Sequence, residues 1–120
     1  MIVYRTFRIH ASRFLPNLSD NHICKRMHGH TFNITVHVSG EVDPKTGFVI
    51  DFYEIDSIFN KYIHNKIDHK VLNEVSGLKN PTSEHLAKWI WEKLINHIPI
   101  LLKIEVSEDH GTGIIYKENR

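Results

Sequence analysis

The chain is 120 residues long, 41% hydrophobic and 24% charged, with a formal net charge of +1. This length fits one domain spanning residues 1–120, and the composition is typical of a folded globular protein. The small net charge gives no reason to expect nucleic acid as a partner. No apolar run approaches the roughly 20 residues that span a bilayer, and Arg5 and Arg8 interrupt the N-terminal segment, which is unlike a signal peptide. We therefore expect a cytoplasmic protein without a membrane partner.

The first half of the chain predicts two strands and a helix. Residues 2–10 are rich in β-branched and aromatic side chains, which favours a strand. Residues 14–29 contain several turn-forming residues and predict a long loop of the kind that is often functional. Residues 30–39 alternate apolar and polar side chains, which predicts a second strand. The stretch GEVDPKTGFVIDF predicts a hairpin-like connection, and apolar residues at helical spacing predict a helix over 52–67.

The second half predicts a helix followed by two strands. In NPTSEHLAKWIWEKLINHI, Pro81 with Thr82 or Ser83 is a helix start signal, and apolar residues then recur at helical spacing until a proline ends the helix. The stretches ILLKIEVSE and GIIYKE each predict a strand. The order is therefore ββααββ. We expect an α+β fold in which a four-stranded antiparallel sheet carries two helices on one face.

The stretch CKRMHGH contains the only cysteine of the chain and two of its ten histidines. Histidines two positions apart on a strand point to the same side, so His28 and His30 could hold a metal ion together; the alternative is an ordinary polar strand edge. Cys24 could be a reactive thiol, since the thiolate is the reactive form, or a small buried side chain. The residues by themselves leave these alternatives open.

Two acidic positions could also carry chemistry. Asp68 directly precedes His69, and an aspartate beside a histidine can orient the ring and stabilise its charged form. Glu108 stands where the apolar pattern of the third strand ends, and a carboxylate there could bind the guanidine-like edge of a heterocycle through two parallel hydrogen bonds. The alternatives are a chance surface pair and a solvated charge at a strand end. Histidines without a spacing that couples them to these positions are interpreted as surface residues: His64, His85, His97 and His110.

Taken together, the motifs C-x3-HGH, VDPKTGFVIDF, DH followed by VLN, GLKNPTSEHLAKWIWEKL and the late glutamate resemble the 6-carboxytetrahydropterin synthase family. The resemblance runs from about Phe7 to Tyr116, with order and spacing kept. It implies the tunnelling fold shared with 6-pyruvoyltetrahydropterin synthase, whose subunits assemble into rings around a barrel, and hence a homohexamer or another ring-shaped homo-oligomer. The three residues between Cys24 and His28 resemble the carboxy branch, because the cysteine of the pyruvoyl branch usually stands further before its HGH.

The resemblance also implies a reaction. A carbon-carbon lyase of this family converts 7,8-dihydroneopterin triphosphate to 6-carboxy-5,6,7,8-tetrahydropterin, with release of acetaldehyde and triphosphate, on the path to queuosine and related 7-deazapurines. The partner implied is thus a small-molecule pterin. Glu108 would anchor the pterin ring, helped by Thr82 and Ser83. An alternative is the pyruvoyl-type synthase, which expels triphosphate but keeps the carbon side chain.

The family's catalytic and metal positions carry over residue by residue. Cys24 would be the general base, and Asp68 and His69 would complete a proton-relay triad. His28 and His30 would bind Zn2+, whose charge would polarise the side-chain oxygens of the substrate.

One position departs from the family pattern. When IHASRFLP is aligned without gaps to the family's FxAAHxLP, Arg13 falls where the third zinc ligand, a histidine, is expected. Arginine has no lone pair to offer and keeps its charge, which puts zinc in doubt because such sites normally use three protein ligands. Three alternatives stay open. His10 supplies the ligand by way of a strand bulge, the Arg13 guanidinium replaces the metal, or the protein is a pterin-binding paralogue with impaired catalysis.

Overall fold

The computed structural model describes residues 1–119 of the chain. Four strands form one antiparallel sheet in which each strand pairs with its neighbours in the sequence. The strands are β1 (Ile2–Arg13), β2 (His28–Ser39), β3 (Leu101–Glu108) and β4 (Gly113–Tyr116). The predicted antiparallel α+β sheet and its strand order are confirmed.

The pairing of β1 with β2 runs further into the predicted loop than the sequence indicates. The register extends from Ile2 opposite Ser39 to Arg13 opposite His28 without a shift. Because side chains alternate between the faces of a sheet, odd-numbered residues of β1 and even-numbered residues of β2 point to the same side. The start of β2 carries no clear strand signal, since HGH is polar and contains a glycine.

The first helical segment follows Asp51, whose side chain accepts a hydrogen bond from the backbone of the first turn. It runs as α1 (Phe52–Phe59), a π-helical turn (Asn60–His64) and α2 (Asn65–Ile67) without interruption. The helix predicted over residues 52–67 is therefore confirmed, with the π turn as an addition. A π turn inserts one extra residue per turn, and such turns occur often at functional sites.

The second helical segment is α3 (Ser83–Leu94). Thr82 caps it, because its Oγ1 accepts a hydrogen bond from the His85 N–H at 3.1 Å. The predicted start signal is thus confirmed at Thr82, and Ser83 is the first helical residue. Within residues 1–119, no helix combines the length and the apolar character needed to cross a bilayer.

The connection between β2 and α1 is a closed turn. The Asp43 N–H donates to the Phe48 C=O at 2.8 Å, and the Gly47 N–H donates to the Asp43 C=O at 2.8 Å. Gly47 has a φ of 78°, a conformation that glycine adopts without strain. The hairpin-like connection expected here therefore turns the chain, but its two arms form no strand pair.

The helices cover one face of the sheet and leave the other face exposed, as predicted. Phe7 of β1 stacks on Phe59 of α1 with ring centroids 3.8 Å apart. Trp91 of α3 meets Tyr116 of β4 edge-on at 6.0 Å. Fully buried side chains of the sheet complete this inner face: Ile9, Phe32, Ile34, Val36, Val38, Ile104 and Val106.

A short segment after α2 covers the free edge of β1 at residues 10–12. The His69 N–H donates to the His10 C=O at 2.6 Å, and the Ser12 N–H donates to the Lys70 C=O at 2.9 Å. These backbone bonds place the Asp68 and His69 motif beside the C-terminal end of β1. Only this last part of the β1 edge is covered, so residues 2–9 of the strand remain open to pairing with another chain.

Phe59→Ala is expected to lower the free energy of unfolding by about 3–5 kcal/mol, because it removes a fully buried ring and leaves a cavity against Phe7. Urea denaturation followed by circular dichroism measures this change. Tyr53→Ala is the control in the same helix, since Tyr53 is 82% exposed, and it should change stability by less than about 0.5 kcal/mol. Equal losses in the two variants would contradict the packing explanation.

Candidate functional site

A buried arginine lies where β1 ends on the inner face of the sheet. Arg13 is 6% exposed and is the only polar or charged residue classed as buried within residues 1–119. Its Nη1 donates to the Pro81 C=O at 3.1 Å and to Ser83 Oγ at 3.3 Å. Its guanidinium carbon lies 5.1 Å from the centre of the Phe32 ring. Burying a charge is costly unless it is paired, so this position requires an opposite charge.

Glu108, the last residue of β3, supplies that charge. Arg13 Nη2 donates to Glu108 Oε1, and the two side chains are 8% and 10% exposed. The same Oε1 lies 3.4 Å from His30 Nδ1, while Oε2 lies 3.2 Å from His110 Nε2. Glu108 is therefore an engaged, nearly buried carboxylate and not a solvated strand end. A ligand that uses both of its oxygens has to displace at least one neighbour.

His28 and His30 lie side by side on the inner face, as their spacing predicts. Their ring centroids are 4.2 Å apart. His28 Nδ1 lies 2.6 Å from the Arg26 C=O and donates to it, which leaves the lone pair of the neutral ring on Nε2. Burial lowers the pKa of His30 below the ordinary histidine value, and the Arg13 guanidinium lowers this pKa further. The Glu108 carboxylate raises the pKa but does not cancel these two effects. The neutral form of His30 is thus favoured.

These residues do not fit a zinc ion. A zinc site of this kind needs three side chains with lone pairs, and Arg13 holds the third position with a fixed positive charge and none. Within the part of the chain that the structure describes, no three His, Cys, Asp or Glu side chains are arranged to hold a metal ion. His28 and His30 alone leave the ligand set incomplete, and the cation beside them repels a second cation.

His10 does not supply the missing ligand. The pairing of β1 with β2 has no bulge between His10 and Arg13, so the two side chains point to opposite faces. His10 Nδ1 lies 3.1 Å from Thr31 Oγ1, and its ring centroid lies 5.9 Å from that of His69. The alternative that His10 completes a zinc site is therefore wrong.

Asp68 and His69 form a hydrogen-bonded pair at the edge of β1. His69 Nδ1 lies 2.7 Å from Asp68 Oδ2, and Asp68 Oδ1 accepts from the His10 N–H at 3.1 Å. His69 has a φ of 57°, which is unusual for a residue with a side chain and is often found at functional sites. Its ring is 75% exposed. The pair is thus held from the β1 side while the ring remains open to a partner.

The surroundings of Asp68 favour its charged form. Burial by itself raises the pKa of Asp68, but the hydrogen bonds from the His10 N–H and the His69 ring, together with the nearby His64, bring the pKa below its ordinary value. His64 ends the π-helical turn, and its Nε2 lies 3.4 Å from Asp68 Oδ2. A carboxylate at this place holds the His69 ring in one orientation, with Nδ1 as the donor.

Cys24 lies near the end of β1. It belongs to a 3-10 turn (Ile23–Lys25) and is partly exposed. Its C=O accepts from the Leu15 N–H at 2.8 Å, which closes the loop after β1. Among the described residues, no hydrogen bond joins its thiol to Asp68 or His69, whose side chains bond to each other. Within the described residues, hydrogen bonds therefore join two members of the predicted triad and not the third.

The hydroxyls of Thr82 and Ser83 stand at the N-terminus of α3. Thr82 Oγ1 accepts from the His85 N–H, and Ser83 Oγ accepts from Arg13. Each hydroxyl is thus used as an acceptor, and its own hydrogen is left to donate. Through Arg13, Ser83 is linked to Glu108, which joins two of the three predicted substrate-binding positions by hydrogen bonds.

Two histidines contact site carboxylates that no sequence pattern had linked to them. His110 is exposed, as expected, and His64 is partly exposed, but the interpretation that they are not coupled to the site is wrong, because His64 contacts Asp68 and His110 contacts Glu108. The spacing of four between His64 and Asp68 is one helical turn and was a usable signal. No comparable rule marks His110, which lies in the turn after β3.

An open depression of about 400 Å3 lies over the ends of β1 and β2. A Cβ added at Gly29 would meet no atom within 4 Å, so the absence of a side chain there keeps the depression open. The lining residues come from both strands and from the segment after α2: His10, Ala11, Ser12, Gly29, His30, Thr31 and His69. The exposed ring of the acid-base pair therefore borders a space that can admit a small molecule.

Arg13→Met is expected to lower the free energy of unfolding by about 3–5 kcal/mol, because it leaves the Glu108 carboxylate nearly buried without its partner. The double variant Arg13→Met/Glu108→Gln should recover most of this loss, since no unpaired charge remains. Urea denaturation of wild type, both single variants and the double variant measures the coupling. Losses that simply add would show that the two side chains do not stabilise each other.

Asp68→Asn removes a carboxyl group whose pKa is lowered in the folded state. Such a group stabilises the folded protein above its unfolded pKa, and this contribution is lost as the pH falls through the folded pKa. We therefore expect wild type to exceed Asp68→Asn in stability at about pH 6 and the difference to shrink as the pH falls below the ordinary aspartate pKa of 3.8 and through the lower folded pKa. Urea denaturation across this range measures it. Asp20→Asn, at a side chain that is 92% exposed, is the control; a difference independent of pH would contradict the prediction.

The chain is similar to proteins of one family over nearly its whole length. The sequence model of the family described as 6-pyruvoyl tetrahydropterin synthase matches residues 2–119. A 6-carboxy-5,6,7,8-tetrahydropterin synthase of Synechocystis sp. is 36% identical over 112 residues, which cover 89% of this chain and 85% of that protein. A dihydroneopterin monophosphate aldolase of Pyrococcus furiosus is 35% identical over 68% of this chain and 67% of that one. The structure of Caenorhabditis elegans 6-pyruvoyl tetrahydropterin synthase matches with a TM-score of 0.90 at 27% identity, covering 99% of this chain and 96% of that one. The chain therefore belongs to the 6-pyruvoyl tetrahydropterin synthase family and has its tunnelling fold.

Proposed function

We propose that the protein is a carbon-carbon lyase of the 6-carboxytetrahydropterin synthase type. It converts 7,8-dihydroneopterin triphosphate to 6-carboxy-5,6,7,8-tetrahydropterin with release of acetaldehyde and triphosphate, in the cytoplasm, on the path to queuosine and related 7-deazapurines. The observation that carries the proposal is the Asp68 and His69 pair, held at 2.7 Å beside an open depression. Cleavage of a hydroxylated side chain requires protons to be removed and returned near neutral pH, which such a pair can do. The 36% identity to a protein named for this reaction supports the same branch.

Proton transfer is divided between two parts of the chain. Cys24 removes a proton from the substrate side chain as the general base, and His69, oriented by Asp68, relays protons. Because the thiol of Cys24 and the acid-base pair are not joined within one chain, the complete site forms between subunits. A ring-shaped homo-oligomer such as a homohexamer provides that arrangement and pairs sheet edges that one subunit leaves open.

Glu108 anchors the pterin ring. Arg13 donates to Oε1 of Glu108, while Oε2 of Glu108 faces the ring of His110. The His110 side chain is 64% exposed and can move aside. An N–H of the pterin edge donates to Oε2, and the hydroxyls of Thr82 and Ser83 donate to acceptors of the ring. The pterin is thus held at the inner end of the sheet with its side chain towards the histidines.

A second candidate function is a pterin-binding paralogue that does not catalyse. The observation that favours it is Arg13, because a fixed cation stands where the family pattern has the third metal ligand. In this case Glu108 and the hydroxyls at the start of α3 still bind the ring, but the side chain is not cleaved. Binding and turnover therefore have to be measured separately.

Incubation of the protein with 7,8-dihydroneopterin triphosphate, followed by mass spectrometry of the products, tests the lyase. We expect 6-carboxytetrahydropterin and acetaldehyde, and a rate at least about 100-fold lower in Cys24→Ala, since a general base contributes that much or more. His69→Ala should show a similar loss. His97→Ala is its control, because His97 stacks on Tyr62 with ring centroids 3.9 Å apart, away from the site, and it should keep the wild-type rate.

Each other outcome of this assay identifies an alternative. Turnover no faster than that of Cys24→Ala contradicts the lyase, and pterin affinity retained in the same preparation then supports the non-catalytic paralogue. A product that has lost triphosphate but kept all side-chain carbons identifies the pyruvoyl-type synthase instead.

A further inference from the structure

The cation at the third ligand position is built into the fold. Arg13 donates to the Pro81 C=O, to Ser83 Oγ and to Glu108, and its guanidinium carbon lies 5.1 Å from the centre of the Phe32 ring. If this side chain turned away, Glu108 would remain at 10% exposure without its ion-pair partner, which is unfavourable. Arg13 therefore stays in the site, and the site cannot gather three lone-pair donors around a metal.

Two buried polar atoms next to this ion pair have no hydrogen-bond partner among residues 1–119. They are Nε of Arg13 and Nε2 of His30. Both atoms belong to side chains that approach the same oxygen, Oε1 of Glu108. Leaving buried polar atoms unpaired is costly, and a ligand that satisfies them is correspondingly favoured.

The two unpaired atoms differ in hydrogen-bonding character. Nε–H of arginine is always a donor. The proton of a neutral His30 ring is favoured on Nδ1, which faces the Glu108 carboxylate at 3.4 Å, so Nε2 is an acceptor. A donor and an acceptor together match a hydroxyl group, whose oxygen accepts from Arg13 and whose hydrogen is donated to His30.

We propose that this site works without zinc and that the Arg13 guanidinium takes the place of the metal. Its Nε–H binds a side-chain oxygen of the pterin, and its charge stabilises negative charge that develops on that oxygen. The inference rests on the proposed function only for the class of ligand, a pterin with a hydroxylated side chain.

Zinc content is the first measurement and needs no variant of the buried residue. Wild-type protein is incubated with excess zinc sulfate, passed through a desalting column and analysed by mass spectrometry of the metal. We expect well below one zinc ion per subunit. Stoichiometric zinc in wild type that falls in His28→Ala would overturn the proposal.

Arg13→His tests whether zinc binding is gained when position 13 carries a lone pair. This substitution places three histidines on one face of the β1 and β2 pair and is expected to raise zinc content towards one ion per subunit. Arg8→His is the matched control, because Arg8 lies on the outer face of the same strand and pairs with Asp109. Equal zinc content in the two variants would contradict the assignment of position 13 as the metal position.

Ligand binding tests the role of the Arg13 Nε–H. The probes are neopterin, which has a hydroxylated side chain, and 6-methylpterin, which has no side-chain oxygen; fluorescence titration gives the Kd of each. Wild type treated with a chelator should bind neopterin about tenfold more tightly than 6-methylpterin, because one charge-assisted hydrogen bond contributes about that much to affinity. Equal affinity for the two probes in wild type would overturn the proposal whether or not any variant folds.

Arg13→Lys keeps the charge but removes the guanidinium donor. Where circular dichroism shows that it is folded, we expect weaker neopterin binding by about tenfold and 6-methylpterin binding within about twofold of wild type. Equal weakening for both probes would contradict a contact with the side-chain oxygen.

Failure of this inference is distinguishable from failure of the lyase, because neither zinc content nor probe affinity depends on turnover. A zinc-free protein that prefers neopterin and does not turn over supports the role of Arg13 and contradicts the lyase. Lyase activity in a protein with stoichiometric zinc would support the lyase and contradict the role of Arg13.

Discussion

The register of β1 against β2 is the constraint on which the rest of the site depends. Side chains alternate between the two faces of a sheet, so the unshifted pairing places Arg13, His28 and His30 on the inner face and His10 on the outer one. A slip of one residue would exchange these sets. The core opposes such a slip, because Phe32 and its neighbours are fully buried on the inner face. The hydrophobic burial that stabilises the sheet therefore also decides which polar side chains share a site.

The buried ion pair separates this protein from the pattern of its family. A metal ligand contributes a lone pair, whereas Arg13 contributes a permanent charge that Glu108 neutralises within the fold. The Asp68 and His69 pair is separate from this ion pair, because it bonds to the edge of β1 beside His10. The chain therefore has a hydrogen-bonded acid-base pair at the strand edge, although position 13 offers no lone pair.

Local patterns predicted the elements well because each pattern reflects contacts with near neighbours in the chain. The alternation over residues 30–39 and the helical spacing over residues 52–67 identified β2 and the first helical segment. The prediction was less complete at element ends. The residues added to the predicted strands, 11–13 of β1 and 28–29 of β2, depend on pairing across the sheet. The π turn at Asn60–His64 changes the helix by a single inserted residue. Apolar spacing does not detect either feature.

The sequence by itself determined the order of the elements, the adjacency of Asp68 with His69, and the chemical fact that position 13 has no lone pair to offer. Only the tertiary structure decided what Arg13 does instead. Its partner Glu108 lies 95 residues away in the chain, on a strand that reaches β1 only across β2, and His110 joins them from a turn without any sequence signal. Periodicity reports which face a residue occupies, but the choice of a partner for a buried charge depends on packing between distant segments, because desolvation makes that charge costly until one particular opposite charge is brought beside it.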